Sequence, residues 1–376
     1  MSTLPEVETA LLRKLVRAGA GGEAIPSLPE TIDWALLVAA AERHRLAPLV
    51  FEGLSRFPST PPGARARLEN IRNLEIAKAV IRMHHVDELG GVALQERLDL
   101  HLLKGAAFAT TLYRDPGLRP MCDIDVLASP AAFAPWSREL EKLGYTLVDV
   151  SDHASCYRRR ATGVLVELHR ALTSAAGFLR LDTGSLFERS RPLEGGLRTL
   201  SWEDHLLHLS LHASFQHGFR QAGINAWEAC AIAEREDFDS ASFLERARAP
   251  RLAPWVYGGL VMAGAVFDGT QLASIRQALE DGLPRSMARK ARRFQAESLL
   301  GPSPDAISGS PTGRLLWNGF HLTTISLLWE ISRPRPGKAR QDFGARPRRI
   351  MQLLRNHGFT LSSSKSATWI AHSHGP

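Results

Sequence analysis

Asp123 and Asp125 stand one residue apart in the run Met121-Cys122-Asp123-Ile124-Asp125-Val126-Leu127. The run has the apolar character of a strand. Residues two apart on a strand project to one face, so both carboxylates leave the backbone together while Ile124 and Val126 point the other way. Two anions side by side repel each other and make a poor core. A divalent cation between them removes the repulsion, and hard ions such as Mg²⁺ or Mn²⁺ prefer carboxylate oxygen. The plain alternative is a strand that ends in a solvated acidic turn.

A third carboxylate follows the same logic. Over 164–169, alternation puts Val164, Val166 and Leu168 on the core side and Leu165, Glu167 and His169 on the other. Glu167 completes a trio with Asp123 and Asp125 if the two strands are neighbours. His169 shares its face and can contact those carboxylates or a substrate. Cys122 falls on the opposite strand face from Asp123, which argues against a nucleophilic thiol.

The flanking sequence predicts what positions these groups. A short apolar strand over 98–103 leads through Lys104-Gly105 into a helix, a loop and the carboxylate strand. Ser129-Pro130 then signals a helix start, and Gly144 a stop. Further strands are expected over 145–150, 157–160 and 164–169. This order predicts an α+β fold, a small mixed sheet with helices on one side. Before it, helices are expected over 5–18, from Ile32 with Thr31 as cap, and over 64–89. The last has an apolar stripe of Ile71, Leu74, Ala77, Val80 and Ile81, and Gly90-Gly91 to end it. After it, Ser201 caps the first of a series of helices, with acids in its first turn. These are expected over 203–217, 224–236, 241–248, 252–267, 271–281, 285–299, 312–332 and 345–356. The expected organisation is a helical region over 1–95, a catalytic core over 96–200, a helical domain over 201–360 and a tail over 361–376.

The motifs in this order resemble the nucleotidyltransferase superfamily, with its polymerase-β-like fold. In that superfamily a small-residue turn precedes an Asp-x-Asp pair and a later carboxylate. More closely they resemble the bacterial uncharacterised nucleotidyltransferase family. The resemblance is carried by Leu103-Lys104-Gly105, Tyr113, Arg119, Asp123-Ile124-Asp125, Glu167-Leu168-His169, Leu206-Leu207-His208-Leu209 and His212-Ala213. It implies a metal-dependent transfer of a nucleoside monophosphate from an NTP to an acceptor, with pyrophosphate leaving. Asp123, Asp125 and Glu167 would hold Mg²⁺ or Mn²⁺. Lys104, Gly105 and Arg119 would hold the triphosphate, the helix N-terminus offering free N–H groups. Ala106 departs from the serine common in the wider superfamily, so a hydroxyl contact to phosphate is missing. Tyr113 reads as packing.

The acceptor implied is a small molecule, peptide or sugar. Two other outcomes stay open, an inactive nucleotide-binding or regulatory module and an AMP-transferring modifier of a partner protein of the toxin–antitoxin type. His205, His208 and His212 recur at i, i+3 and i+7 but have no acidic or cysteine partner beside them, so packing is the expectation.

Composition limits the classes further. The 376 residues carry 46 Lys and Arg against 39 Asp and Glu, a net charge of +7, which suits an anionic substrate. Much of the excess lies over 285–293 and 333–355. No aromatic-interleaved basic platform accompanies it, and nucleic acid is not the expected partner. The three cysteines form neither a disulfide framework nor a Cys-x-x-Cys site. No apolar run reaches the roughly 20 residues of a membrane helix. The early acidic residues do not resemble a signal segment, so a cytoplasmic location is expected. A phosphate-binding Walker loop, a kinase signature and a Ser-His-Asp order are all missing from the sequence.

Overall fold

The computed structural model describes residues 4–283 apart from 24, 152, 174–175, 180, 217–221 and 250. Beyond these it describes 285, 300 and the paired dipeptides Phe359–Thr360 and Ile370–Ala371. The helices expected over 285–299, 312–332 and 345–356, and the tail over 361–376, lie outside the described residues except for those isolated positions.

Four helices precede the sheet: α1 (Glu6–Gly19), α2 (Trp34–Arg43), α3 (Ala47–Gly53) and α4 (Pro62–Glu96). The cap of α2 is Asp33 rather than Thr31, its carboxylate accepting the Leu36 N–H at 3.0 Å. Helix α4 runs through Gly90-Gly91, which sequence reasoning takes as its end, and reaches Glu96. Gly90 has a packing role there. A Cβ on it would lie 2.3 Å from the Gly195 carbonyl oxygen, so only glycine lets the turn Glu194–Gly196 seat on the helix.

The buried face of α4 also differs from the expected stripe. Leu74, Val80 and Ile81 are exposed, while Leu68, Ala79, His85, Val86, Leu89 and Ala93 point inward. Apolar residues occur on more than one face of this helix. Its contacts with α3 and with the turn Pro116–Leu118 select one of them.

The sheet contains β1 (His101–Leu102), β2 (Ile124–Leu127), β3 (Tyr145–Val150), β4 (Ala154–Arg159), β5 (Leu165–His169), β6 (Arg191–Pro192) and β7 (Arg198–Thr199). Their order is β3-β4-β5-β2-β1-β7-β6. Strand β2 lies antiparallel to β1 and parallel to β5, with Asp125 opposite Glu167. The short strands β6 and β7 widen the sheet beyond the sequence expectation. Helices α5 (Lys104–Thr111), α6 (Phe133–Lys142), α7 (Ala176–Leu179) and α8 (Thr183–Glu188) lie within this unit.

A helical region follows, with α9 (Trp202–Leu211), α10 (Ala222–Ala233), α11 (Ser240–Ala247), α12 (Ala253–Val266) and α13 (Thr270–Glu280). A π-helical turn, His212–Gln216, continues α9. Ser201 caps α9, accepting the Asp204 N–H at 3.2 Å as its sequence predicts. The molecule is α+β, a mixed sheet with helical regions on both sides of it in the chain. Its flanks are not separate from the sheet. Leu12 and Leu89, Val126 and Val166, and Leu209 and Val256 belong to one hydrophobic cluster. No helix among the described residues is long and apolar enough to cross a membrane.

Candidate functional site

The Leu103 N–H donates to the Asp125 carbonyl at 2.9 Å, which fastens the Lys104-Gly105 turn beside the carboxylate strand. Lys104 opens α5 with φ 40°, in the left-handed region that costs a side-chain-bearing residue about 1–2 kcal/mol. From there its Nζ lies 3.2 Å from Asp125 Oδ1, and His169 Nε2 lies 2.9 Å from the same oxygen. His169 Nε2 is also 3.4 Å from Glu167 Oε2. Among the described residues, Asp125, Glu167 and His169 form a group whose ligand atoms lie within 4.8 Å of one another. Two carboxylates and an imidazole make a donor set that can hold a divalent ion.

Burial differs sharply within this group. The Asp125 side chain is 8% exposed and that of Glu167 28%, so access is on the Glu167 side. Asp123, one residue ahead of β2, sits beside the group. Its pKa is pushed up to about 6, first by the Asp125 charge and then by burial, with Lys104 and Arg45 opposing. Burial works against the charge of Asp125 too. The Lys104 ammonium and the His169 hydrogen bond outweigh it and hold that carboxyl well below the usual range. For His169, burial favours the neutral ring, but hydrogen bonds to Asp125 and Glu167 prevail and raise its pKa. The pair Asp123/Asp125 therefore carries negative potential that the protein's own cations offset only in part.

Of the expected trio Asp123, Asp125 and Glu167, the group within 4.8 Å contains Asp125 and Glu167. His169, expected on the same face as Glu167, joins them through the register that sets Leu127 opposite His169. The structure adds Arg45, which sequence reasoning missed. Arg45 lies between α2 and α3 with φ 57°, and its charge acts on Asp123. A left-handed non-glycine residue leaves no mark in sequence. Arg82 of α4 approaches from the same end of the chain, its Nη2 donating to the Cys122 carbonyl at 3.4 Å.

Arg119 and Gly105, the other residues expected at the triphosphate, both make close packing contacts within the protein. Arg119 is buried, its Nε and Nη2 donating to the two Glu228 oxygens at 2.6 and 3.0 Å and its Nη1 to the Pro120 carbonyl at 2.6 Å. The guanidinium is spent on α10, and Tyr113 OH donates to the same carboxylate at 3.1 Å. A Cβ on Gly105 would stand 2.8 Å from Met121 Cγ and 3.4 Å from Arg119 Nη1. Glycine is needed there so that the loop before Asp123 packs against α5. As at any helix start, the first-turn N–H groups of α5 have no intrahelical acceptor.

His205 and His208 are buried as packing predicts, with His205 Nε2 2.8 Å from Thr199 Oγ1. Burial, helped by Arg191, pushes His205 down to about 3, and burial with Arg198 pushes His101 down to about 4. An unfolded histidine titrates near 6.5, so the stability these rings contribute is complete above that value and is lost as pH falls toward the folded values. His85 and His208 shift in the same direction, while Asp123 and His169 shift oppositely. Going from pH 7 to 5.5 should cost about 2–3 kcal/mol of stability, read from urea midpoints at the two pH values. An unmoved midpoint would mean that these rings are not excluding protons.

A family model described as uncharacterised nucleotidyltransferase matches residues 30–268. The chain belongs to that family. No curated protein and no solved structure matches it. The matched span of the nucleotidyltransferase family starts ahead of α2 and ends beyond α12. It therefore takes in Arg45 before the sheet and Glu228 after it, as well as the carboxylates between.

Proposed function

We propose that this protein is a divalent-metal-dependent nucleotidyltransferase that moves a nucleoside monophosphate from an NTP to an acceptor and releases pyrophosphate. The observation that carries this reading is the β2–β5 register. It sets Asp125 against Glu167 with His169 alongside, in a chain of the nucleotidyltransferase family, and Asp123 stands one residue ahead of β2. Asp123, Asp125, Glu167 and His169 would hold the ion. The nitrogen in that donor set favours Mn²⁺ over Mg²⁺. A bound ion supplies charge neutralisation on the phosphates and an acidified acceptor hydroxyl.

In the reaction the acceptor oxygen bonds to the α-phosphorus, and the bond to the bridging oxygen breaks with its electron pair leaving on pyrophosphate. Glu167, the most open of the clustered groups, faces the acceptor and takes its proton. Lys104 and the first turn of α5 hold the phosphates, and Arg45 adds positive charge from the N-terminal side. Arg119 acts at one remove, fixing the loop that carries Asp123. The acceptor is a small molecule, peptide or sugar, for which the helical flanks form the other wall. A reducing cytoplasm suits the three free cysteines.

One observation favours a second reading, a nucleotide-binding module without turnover: the Lys104 ammonium already covers an Asp125 oxygen. Pyrophosphate release from each NTP with Mn²⁺ or Mg²⁺ separates the two, with nucleotide binding followed by thermal shift. Metal-dependent release, with water or the protein as acceptor, supports transfer. Radiolabel retained on a polypeptide from α-labelled ATP would identify a protein modifier. Binding without release under every condition, added candidate acceptors included, would favour the module.

A further inference from the structure

Lys104 occupies an oxygen that the proposed divalent ion would take. Its Nζ and His169 Nε2 both reach Asp125 Oδ1, at 3.2 and 2.9 Å, and the lysine side chain is only 12% exposed. An ammonium and a divalent ion cannot share that oxygen, because two cations a few ångströms apart in a poorly solvated site repel strongly. One must leave. A carboxylate-bound ion is fixed by its ligands, whereas lysine carries its charge on a flexible four-carbon stem. The stem starts at the first residue of α5, whose N-terminal N–H groups favour an anion. Lys104 can therefore exchange one anion for another without moving its backbone. Arg119 cannot do so, because Glu228 holds it at two points.

We propose that Lys104 is an exchanging counter-ion: its ammonium neutralises Asp125 until a divalent ion takes that oxygen, and then transfers to the phosphates that arrive with the ion. The inference rests on the nucleotidyl-transfer reading of this site and adds a consequence to it. Metal and triphosphate bind cooperatively, since the metal alone strips Lys104 of its partner and the triphosphate supplies another. Cooperativity of this kind is a coupling free energy, and it disappears when the exchanging group is removed. Loss of Lys104 then helps one ligand and harms the other.

The test is calorimetric titration of wild type, Lys104→Met and Asp125→Asn with Mn²⁺ alone, then with the Mn²⁺ complex of inorganic triphosphate, which carries the phosphates without a base. Lys104→Met should bind Mn²⁺ alone about tenfold more tightly than wild type and the triphosphate complex about tenfold more weakly. Lys104→Arg, which keeps a cation on a long stem, should move both affinities back toward wild type. Equal or weaker Mn²⁺ binding by Lys104→Met overturns the exchange, and so does tighter Mn²⁺ binding with no loss for the complex. Asp125→Asn separates that failure from failure of the site itself: unchanged Mn²⁺ affinity in this variant means that the ion binds elsewhere. Thermal melts check folding, and Lys104→Gln replaces Lys104→Met if the latter does not fold.

Discussion

Replacing Asp125 by Asn should lower the rate of metal-dependent pyrophosphate release by about 10³-fold or more, the equivalent of several kcal/mol of charge stabilisation. Asparagine keeps the shape of the side chain but offers the ion a neutral oxygen. The structure adds a complication that sequence alone does not raise. Asp125 is the partner of both Lys104 and His169, so the substitution also leaves an ammonium at a buried position without its counter-charge. Some stability will be lost with the activity. The double variant Asp125→Asn/Lys104→Met removes that stranded charge. It should recover stability and remain inactive, which distinguishes a chemical defect from a folding defect. A single variant that keeps wild-type turnover would remove Asp125 from the mechanism. Recovery of turnover in the double variant would show that charge balance alone was at stake.

The second large effect concerns a residue with no direct part in the chemistry. Glu228→Leu should cost about 3–5 kcal/mol of stability, because it leaves the buried Arg119 guanidinium without its charge partner. Both side chains are almost fully enclosed, Glu228 at 0% and Arg119 at 6% exposure. Arg119→Met should cost a similar amount by stranding the carboxylate. The double variant should cost much less than the sum, since replacing both ends of a buried pair by apolar groups avoids the stranded charge, leaving mainly the unpaired Tyr113 hydroxyl. A double-mutant cycle in urea measures this directly. Additive losses would show that the two side chains are not coupled. Activity should also fall in the single variants, because Arg119 packs against Gly105 and anchors the loop that delivers Asp123.

Local chemistry in the sequence determined much of this protein. Period-two alternation decides that Asp125 turns away from Val126, and that Glu167 and His169 share a face, because a strand has no other way to direct its side chains. Ser201 ahead of Glu203 and Asp204 marks a helix start, since the first-turn N–H groups need an acceptor. The motif order identifies the family, and the residues holding the negative charge of the site can be read from it.

Tertiary structure alone decided which charges meet. The parallel β2–β5 register aligns Asp125 with Glu167 and brings His169 into reach, across about forty residues of chain whose pattern does not specify a neighbour. Arg119 reads as a loop arginine near an anion site, but its partner lies 109 residues away on α10. Gly90-Gly91 reads as a helix stop, but the helix runs through it and Gly90 is a seat for another segment. Arg45 gives no local sign of its place near Asp123. In each case the deciding term is a long-range contact: electrostatic energy and steric fit depend on distance in space, while sequence patterns record only the energetics of near neighbours along the chain.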